Sequence, residues 1–129
     1  MTDHERTNQL SKKINGAAIE VHKTIGSGLL ESAYEECIYH ELILQNVPTQ
    51  RQVSLLLVYK GLKLDCGYRL DLLVDNLVVV EIKSVERIEP IHEAQLLTYL
   101  RLSSLWLGLL INFNVPVLRN GIKRLVNGE

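Results

Sequence analysis

The sequence predicts a single α/β domain in which a central sheet is flanked by helices, and three observations carry that expectation. Two stretches in the first third repeat apolar residues at the three- and four-residue spacing of a helix. The middle holds short runs rich in Val and Leu, and one of them, Leu77-Val78-Val79-Val80, is apolar without a break, as in a strand covered on both faces. A third helical stretch then separates these runs from a last apolar strand, Trp106 to Phe113. A chain of 129 residues is long enough for one core and too short for two, so residues 1–129 are expected to form one domain.

Taken in order, the first helix runs from about Asn8 to Ile25 on Leu10, Ile14, Ala17, Ala18, Val21 and Ile25. Gly26-Ser27-Gly28 closes it, because glycine takes a left-handed cap cheaply. A second helix runs from about Leu30 to Gln45, carrying Ala33, Tyr34, Cys37, Ile38, Leu42 and Leu44. Asn46-Val47-Pro48 stops it, since the residue before a proline is pushed out of helical geometry. Strand pattern follows over Gln52 to Tyr59 and, after the turn signal Lys60-Gly61, over Leu62 to Cys66. Tyr68 to Val74 and Leu77 to Ser84 read as a hairpin around Asp75-Asn76. Glu89-Pro90 opens a helix to about Leu102, proline being favoured in a first turn. After the Trp106–Phe113 strand, Ile122 to Val126 fits a short edge strand.

Composition narrows the function classes. Apolar residues make up 47% and charged residues 22%, which fits neither disorder nor a membrane protein. The longest apolar runs fall far short of the roughly 20 residues of a spanning helix. The N-terminus, Met-Thr-Asp-His-Glu-Arg, lacks the apolar segment of a secretory leader, so a cytoplasmic location is expected. A net charge of -1 weighs against a stand-alone, tight nucleic-acid binder, although a local basic strip is compatible with a neutral whole. Cys37 and Cys66 have no metal-ligand spacing and read as small core residues rather than a disulfide.

Charge appears where the sheet should be most apolar. Asp71 interrupts Arg69-Leu70-Asp71-Leu72-Leu73-Val74, and Glu81 and Lys83 interrupt Val79-Val80-Glu81-Ile82-Lys83. A buried charge must be paired or metal-bound, otherwise it is exposed. Glu81 and Lys83 share one strand face. An ordinary hairpin with one solvated face and a cross-strand salt bridge is one reading. The other is a divalent-cation site: two carboxylates offer hard oxygen ligands to Mg²⁺ or Mn²⁺, and the lysine stabilises charge developing on a phosphate. The second reading has a consequence for register. A two-residue loop at Asp75-Asn76 would put Asp71 and Glu81 on opposite faces, so a shared site requires an odd-length loop, such as Asp75 to Leu77, or a bulge.

Several segments also resemble a known family. Gly28-Leu29-Leu30-Glu31-Ser32-Ala33-Tyr34 resembles the signature of the GxxExxY protein family. So do Tyr68-Arg69-Leu70-Asp71-Leu72-Leu73-Val74, Val80-Glu81-Ile82-Lys83, His92-Glu93-Ala94-Gln95-Leu96-Leu97-Thr98-Tyr99-Leu100 and Leu107-Gly108-Leu109-Leu110-Ile111-Asn112-Phe113. That family is placed in the PD-(D/E)XK superfamily of nucleases and related proteins. The resemblance implies a restriction-endonuclease-like core with a central mixed sheet. It implies Asp71 and Glu81 as metal-binding carboxylates, Lys83 as their catalytic partner, and Glu31 as an additional carboxylate from an early helix. Gln95 and Tyr99 resemble the Gln-xxx-Tyr helix motif, with Gln95 positioning the reacting group and Tyr99 beside the substrate.

Arg69, two residues before Asp71 on the same strand, is a candidate for contacting phosphate, and His92 for approaching substrate from the helix start. Glu20 on the first helix is a further acidic candidate. Tyr34 reads as a packing residue. The function so implied is a Mg²⁺- or Mn²⁺-dependent nuclease acting on DNA or RNA, the alternative being a non-catalytic binding module on the same fold. Nucleic acid is the implied partner, a membrane is not, and a homodimer or a protein partner stays open.

Overall fold

A computed structural model describes residues 1–128. Helix α1 (Asp3–Ile25) starts ahead of the apolar repeat because the Thr2 hydroxyl accepts the Glu5 amide at 3.1 Å and so caps it. Helix α2 (Glu31–Leu44) follows the glycine turn. Strands β1 (Thr49–Ser54), β2 (Leu57–Tyr59), β3 (Leu62–Leu64), β4 (Arg69–Val74) and β5 (Val78–Lys83) come next. Helix α3 (Pro90–Ser103) leads to β6 (Leu107–Asn112), then a short 3-10 turn and β7 (Ile122–Val126).

The main sheet has the order β1-β4-β5-β6-β7. Its β5–β6 pair is parallel and the others are antiparallel, which makes the sheet mixed, as expected of a restriction-endonuclease-like core. The parallel pair requires a crossover, and α3 supplies it. Helices α1 and α2 cover one face, packing Ile14, Ala18, Tyr34, Ile38 and Leu42 against Leu72, Val80, Ile82, Leu109 and Ile111. On the other face α3 lays Leu96, Tyr99 and Leu100 over Val79 and Leu110. Gly108 lets α3 sit close, since a Cβ there would meet the Leu96 side chain at 2.9 Å. The continuous apolar run is thus explained by its two covered faces: Val78, Val79 and Val80 are all fully buried.

Three sequence expectations change. The run Gln52 to Tyr59 is not one strand: Leu55 leaves the sheet, buries its side chain under α3, and donates its amide to the Tyr68 carbonyl at 2.9 Å. Strands β2 and β3 then form a separate two-stranded sheet, and the second of them stops at Leu64. Cys66 is therefore in a loop and exposed, not in the core, while Cys37 is half-buried; both are free thiols. Tyr34 is a packing residue as expected. Its ring stacks on Phe113 at 4.1 Å, and its hydroxyl donates to the Gly26 carbonyl at 2.7 Å and accepts the Leu29 amide at 3.1 Å.

The β4–β5 connection has the odd length that a shared carboxylate site needs. Val74 pairs with Val78, which leaves Asp75, Asn76 and Leu77 as the loop. Asp75 and Asn76 both take left-handed φ, 51° and 56°, a region that Asp and Asn tolerate better than most residues. Among the described residues no helix is long and apolar enough to cross a membrane.

Candidate functional site

Beyond the Leu72–Val80 pair the ladder between β4 and β5 stops, and two carboxylates take over its hydrogen bonds. The Asp71 amide donates to Glu81 Oε2 at 2.9 Å, and the Ile82 amide donates to Asp71 Oδ2 at 2.8 Å. Each acid thus satisfies a backbone donor that the diverging strands would leave unpaired. Glu81 Oε1 has no hydrogen-bond partner among the described residues and Asp71 Oδ1 only a 3.4 Å contact from the Gln52 side chain, so one oxygen of each is open to other chemistry.

The same point is irregular in β1. Leu72 packs under α1 and α2 while Leu70, two residues away, packs under α3, although strict alternation would put both on one face. Their β1 partners divide likewise: Arg51 turns to α2, and Val53 packs toward α3. Both strands turn over at the Gln52–Asp71 position. Gln52 has φ 51°, a left-handed conformation that costs a non-glycine residue roughly 1–2 kcal/mol. Its amide nitrogen lies 2.5 Å from Glu35 Oε1 and 3.4 Å from Asp71 Oδ1, donating to both.

Glu35 is the carboxylate that sequence reading missed. It is 5% exposed and is held by Gln52 and by the Arg51 guanidinium at 3.2 Å. The available signal was its position four residues after Glu31, on the same helix face. Glu31 itself is exposed; its Oε2 accepts the Ser84 amide at 3.0 Å, and the Ser84 hydroxyl donates to the Leu29 carbonyl. The glycine turn and the first residue of α2 are thereby tied to the end of β5.

Electrostatics follow from this crowding. Burial, then repulsion by Asp71, pushes the Glu81 carboxyl up to about 8, with Glu35 adding to the push; the Asp71 amide and the Lys83 charge only partly oppose it. Asp71 is raised as well, chiefly by burial and then by Glu35, against the Ile82 amide, Lys83 and Gln52. Among the described residues Lys83 has no ion-pair partner within 4.0 Å, yet its charge acts on both acids.

From the other layer α3 brings Tyr99 and Gln95. Tyr99 is buried, and its hydroxyl is held above its ordinary pKa by burial, then by Glu81, Tyr68 and Asp71; a hydrogen bond from Gln95 acts the other way. Asp71, Glu81, Lys83, Gln95 and Tyr99 therefore form one group. Arg69 is exposed and donates to the Ser54 hydroxyl. His92 is occupied at the helix start, its Nδ1 accepting the Glu89 amide at 2.9 Å in a capping box. Glu20 is exposed and bonds to Thr24 on its own helix. Asn112, also missed, is buried and pins the segment after Lys83, donating to the Val85 carbonyl at 2.9 Å and accepting its amide at 3.1 Å.

The donor set fits a hard divalent cation in its chemistry: two strand carboxylates, each with an oxygen that no backbone amide occupies, whose mutual repulsion a cation would relieve. It does not enclose one as it stands, because among the described residues no three His, Cys, Asp or Glu side chains form a group that could hold a metal ion. Glu35, the nearest addition, is turned to Gln52 and Arg51.

The family model described as PD-(D/E)XK nuclease superfamily matches residues 8–125. No curated protein and no solved structure matches the chain.

Proposed function

The chain belongs to the PD-(D/E)XK nuclease superfamily, and on that premise we propose that it is a Mg²⁺- or Mn²⁺-dependent nuclease hydrolysing phosphodiester bonds of DNA or RNA in the cytoplasm. Within the superfamily we place it with the GxxExxY proteins, on Gly28, Glu31 and Tyr34 of its signature. The observation that carries the reading is the pair Asp71 and Glu81 at the fork of β4 and β5, both with raised pKa values and both short of positive charge.

Asp71 Oδ1 and Glu81 Oε1 are the oxygens that would hold the cation, with Glu35 or Glu31 extending the set from α2. A cation bound there supplies Lewis acidity and lowers the pKa of water. Lys83 stabilises negative charge that develops on the phosphate, its ammonium lying in the field of the same acids. Gln95, bonded to Tyr99, orients the reacting group, and the buried Tyr99 ring keeps water from that side of Glu81. Arg69, exposed at the start of β4, meets the phosphate backbone, and His92 presents its remaining ring nitrogen from the start of α3.

Incubation of labelled single-stranded DNA, duplex DNA and RNA with the protein, with Mg²⁺, Mn²⁺ or EDTA, tests the reading. Cleavage that needs metal and is lost in Asp71→Ala, Glu81→Ala and Lys83→Ala supports it. The tie of Glu35 to Arg51 and Gln52 favours a second reading, a non-catalytic module on the same fold. Nucleic-acid binding that is unaffected by EDTA and by Asp71→Ala, without cleavage of any substrate, selects that second reading.

A further inference from the structure

Strand β1 ends at Ser54 and β4 begins at Arg69, and these two residues pair. The segment between them leaves the main sheet as the β2–β3 hairpin, with pairs Leu57–Leu64, Val58–Lys63 and Tyr59–Leu62. Alternation places Leu57, Tyr59, Leu62 and Leu64 on one face, which is apolar along its whole length. At its tip Tyr59 is 60% and Leu62 57% exposed. Lys60 and Gly61 make the turn, with φ 47° and 83°, and Lys60 Nζ lies 5.4 Å from the centre of the Tyr59 ring. A two-stranded hairpin is at best marginal on its own contacts, and an exposed apolar arm is a surface for contact.

Position and charge indicate the partner. Arg69 is two residues from Asp71, so the arm springs from the end of the ladder that carries the site. Tyr68, 44% exposed, rests against Tyr99, with ring centres 6.2 Å apart, and Tyr99 borders Glu81 and Asp71. From Leu57 to Arg69 the cations Lys60, Lys63 and Arg69 face one acid, Asp65, whose carboxylate accepts the Gly67 amide at 3.1 Å. An arm with tyrosine faces and an excess of positive charge, joined to an acidic site, complements a polyanion whose bases are open: unpaired bases stack on the tyrosines while Lys and Arg take phosphates. A duplex hides its base faces and would meet the charges alone.

We propose that the β2–β3 hairpin and Tyr68 form a binding arm for single-stranded nucleic acid, which leads one unpaired strand to the carboxylates. The inference rests on the nuclease reading and specifies its substrate. Fluorescence anisotropy with one labelled DNA sequence, as a single strand and as a blunt duplex, tests it in EDTA on the wild type, Tyr59→Ala, Tyr68→Ala and Lys60→Ala/Lys63→Ala. All four substituted side chains are on or beside the exposed arm, and circular dichroism checks that the fold persists. The expected result is a wild-type preference for the single strand that drops about tenfold in each tyrosine variant, with duplex binding little changed. Equal loss for both forms in the tyrosine variants, or no loss in them, overturns the arm while leaving wild-type cleavage, and hence the nuclease reading, intact; the Lys60→Ala/Lys63→Ala variant should lose affinity for both forms. Variants that alter self-association without altering DNA binding also overturn it, assigning the arm to a protein contact. A wild type that neither binds nor cuts any nucleic acid overturns the nuclease reading and the arm together.

Discussion

The Asp71 amide donates to the Glu81 carboxylate at 2.9 Å, while the Asp71 carboxylate takes the amide next to Glu81, that of Ile82, at 2.8 Å. The two acids therefore hold each other's strands at the point where the ladder ends. The arrangement satisfies the backbone, yet it brings two negative charges together inside the protein, with a third at Glu35. Such a pair carries an electrostatic cost in the metal-free state that a cation or a proton relieves.

That cost sets a pH dependence. Glu81 holds its proton up to about pH 8 in the folded state against an ordinary value of 4.5, and Asp71 is shifted the same way. Between these limits the native state binds more protons than the unfolded chain, so stability falls as pH rises through the window and levels off above it. Urea unfolding of metal-free protein should give a higher midpoint near pH 5 than near pH 8. Glu81→Gln, which keeps an acceptor for the Asp71 amide, should flatten that slope. A wild-type midpoint that rises across the window contradicts the account.

The two α2 acids are separable. Glu35 is buried and acts on both strand acids, whereas Glu31 is exposed and bonds the Ser84 amide. Glu35→Gln should weaken Mn²⁺ binding about tenfold or more, and Glu31→Gln less. The reverse order, read by calorimetry, would return the third carboxylate to Glu31.

Gln52 tests the local backbone. Gln52→Gly and Gln52→Ala both remove the amide that joins Glu35 and Asp71, but only glycine occupies the left-handed conformation freely. The glycine variant should be more stable than the alanine variant by about 1 kcal/mol. An alanine variant as stable as the glycine one would mean that β1 does not turn over at this residue.

Gln95 acts on the Tyr99 hydroxyl from helix α3 and is not one of the proposed cation ligands. Gln95→Ala should lower the cleavage rate at saturating substrate about tenfold or more while leaving metal affinity unchanged. A matching loss of metal affinity would make it a support of the carboxylates instead.

Much of this was legible in the sequence, for physical reasons that vary by residue. Apolar periodicity located the first two helices, Glu89-Pro90 the start of the third, and the unbroken Leu77–Val80 run marked a strand with two covered faces. The interruptions at Asp71, Glu81 and Lys83 marked the site because charge in a buried strand demands a partner, and the demand for a shared face led to the three-residue loop at Asp75–Leu77. Glu35 escaped notice because an acid on a helix is ordinary until its tertiary surroundings are known. Gln52 was illegible for a deeper reason: its left-handed backbone is imposed by the turning over of two strands, and no local propensity of Gln encodes it. The excursion of β2 and β3 was hidden because Leu55-Leu56 reads like the middle of a strand, whereas burial of Leu55 under α3 takes the chain out of the sheet.

Isothermal titration of Mg²⁺ and Mn²⁺ into the wild type, Asp71→Ala and Glu81→Ala tests the central claim most directly. The account predicts saturable binding by the wild type that disappears in both variants, with proton release when the titration is run below about pH 8, since Glu81 must give up its proton to bind. Wild-type binding that persists in both variants, or no wild-type binding at all, would contradict a cation site at the fork of β4 and β5.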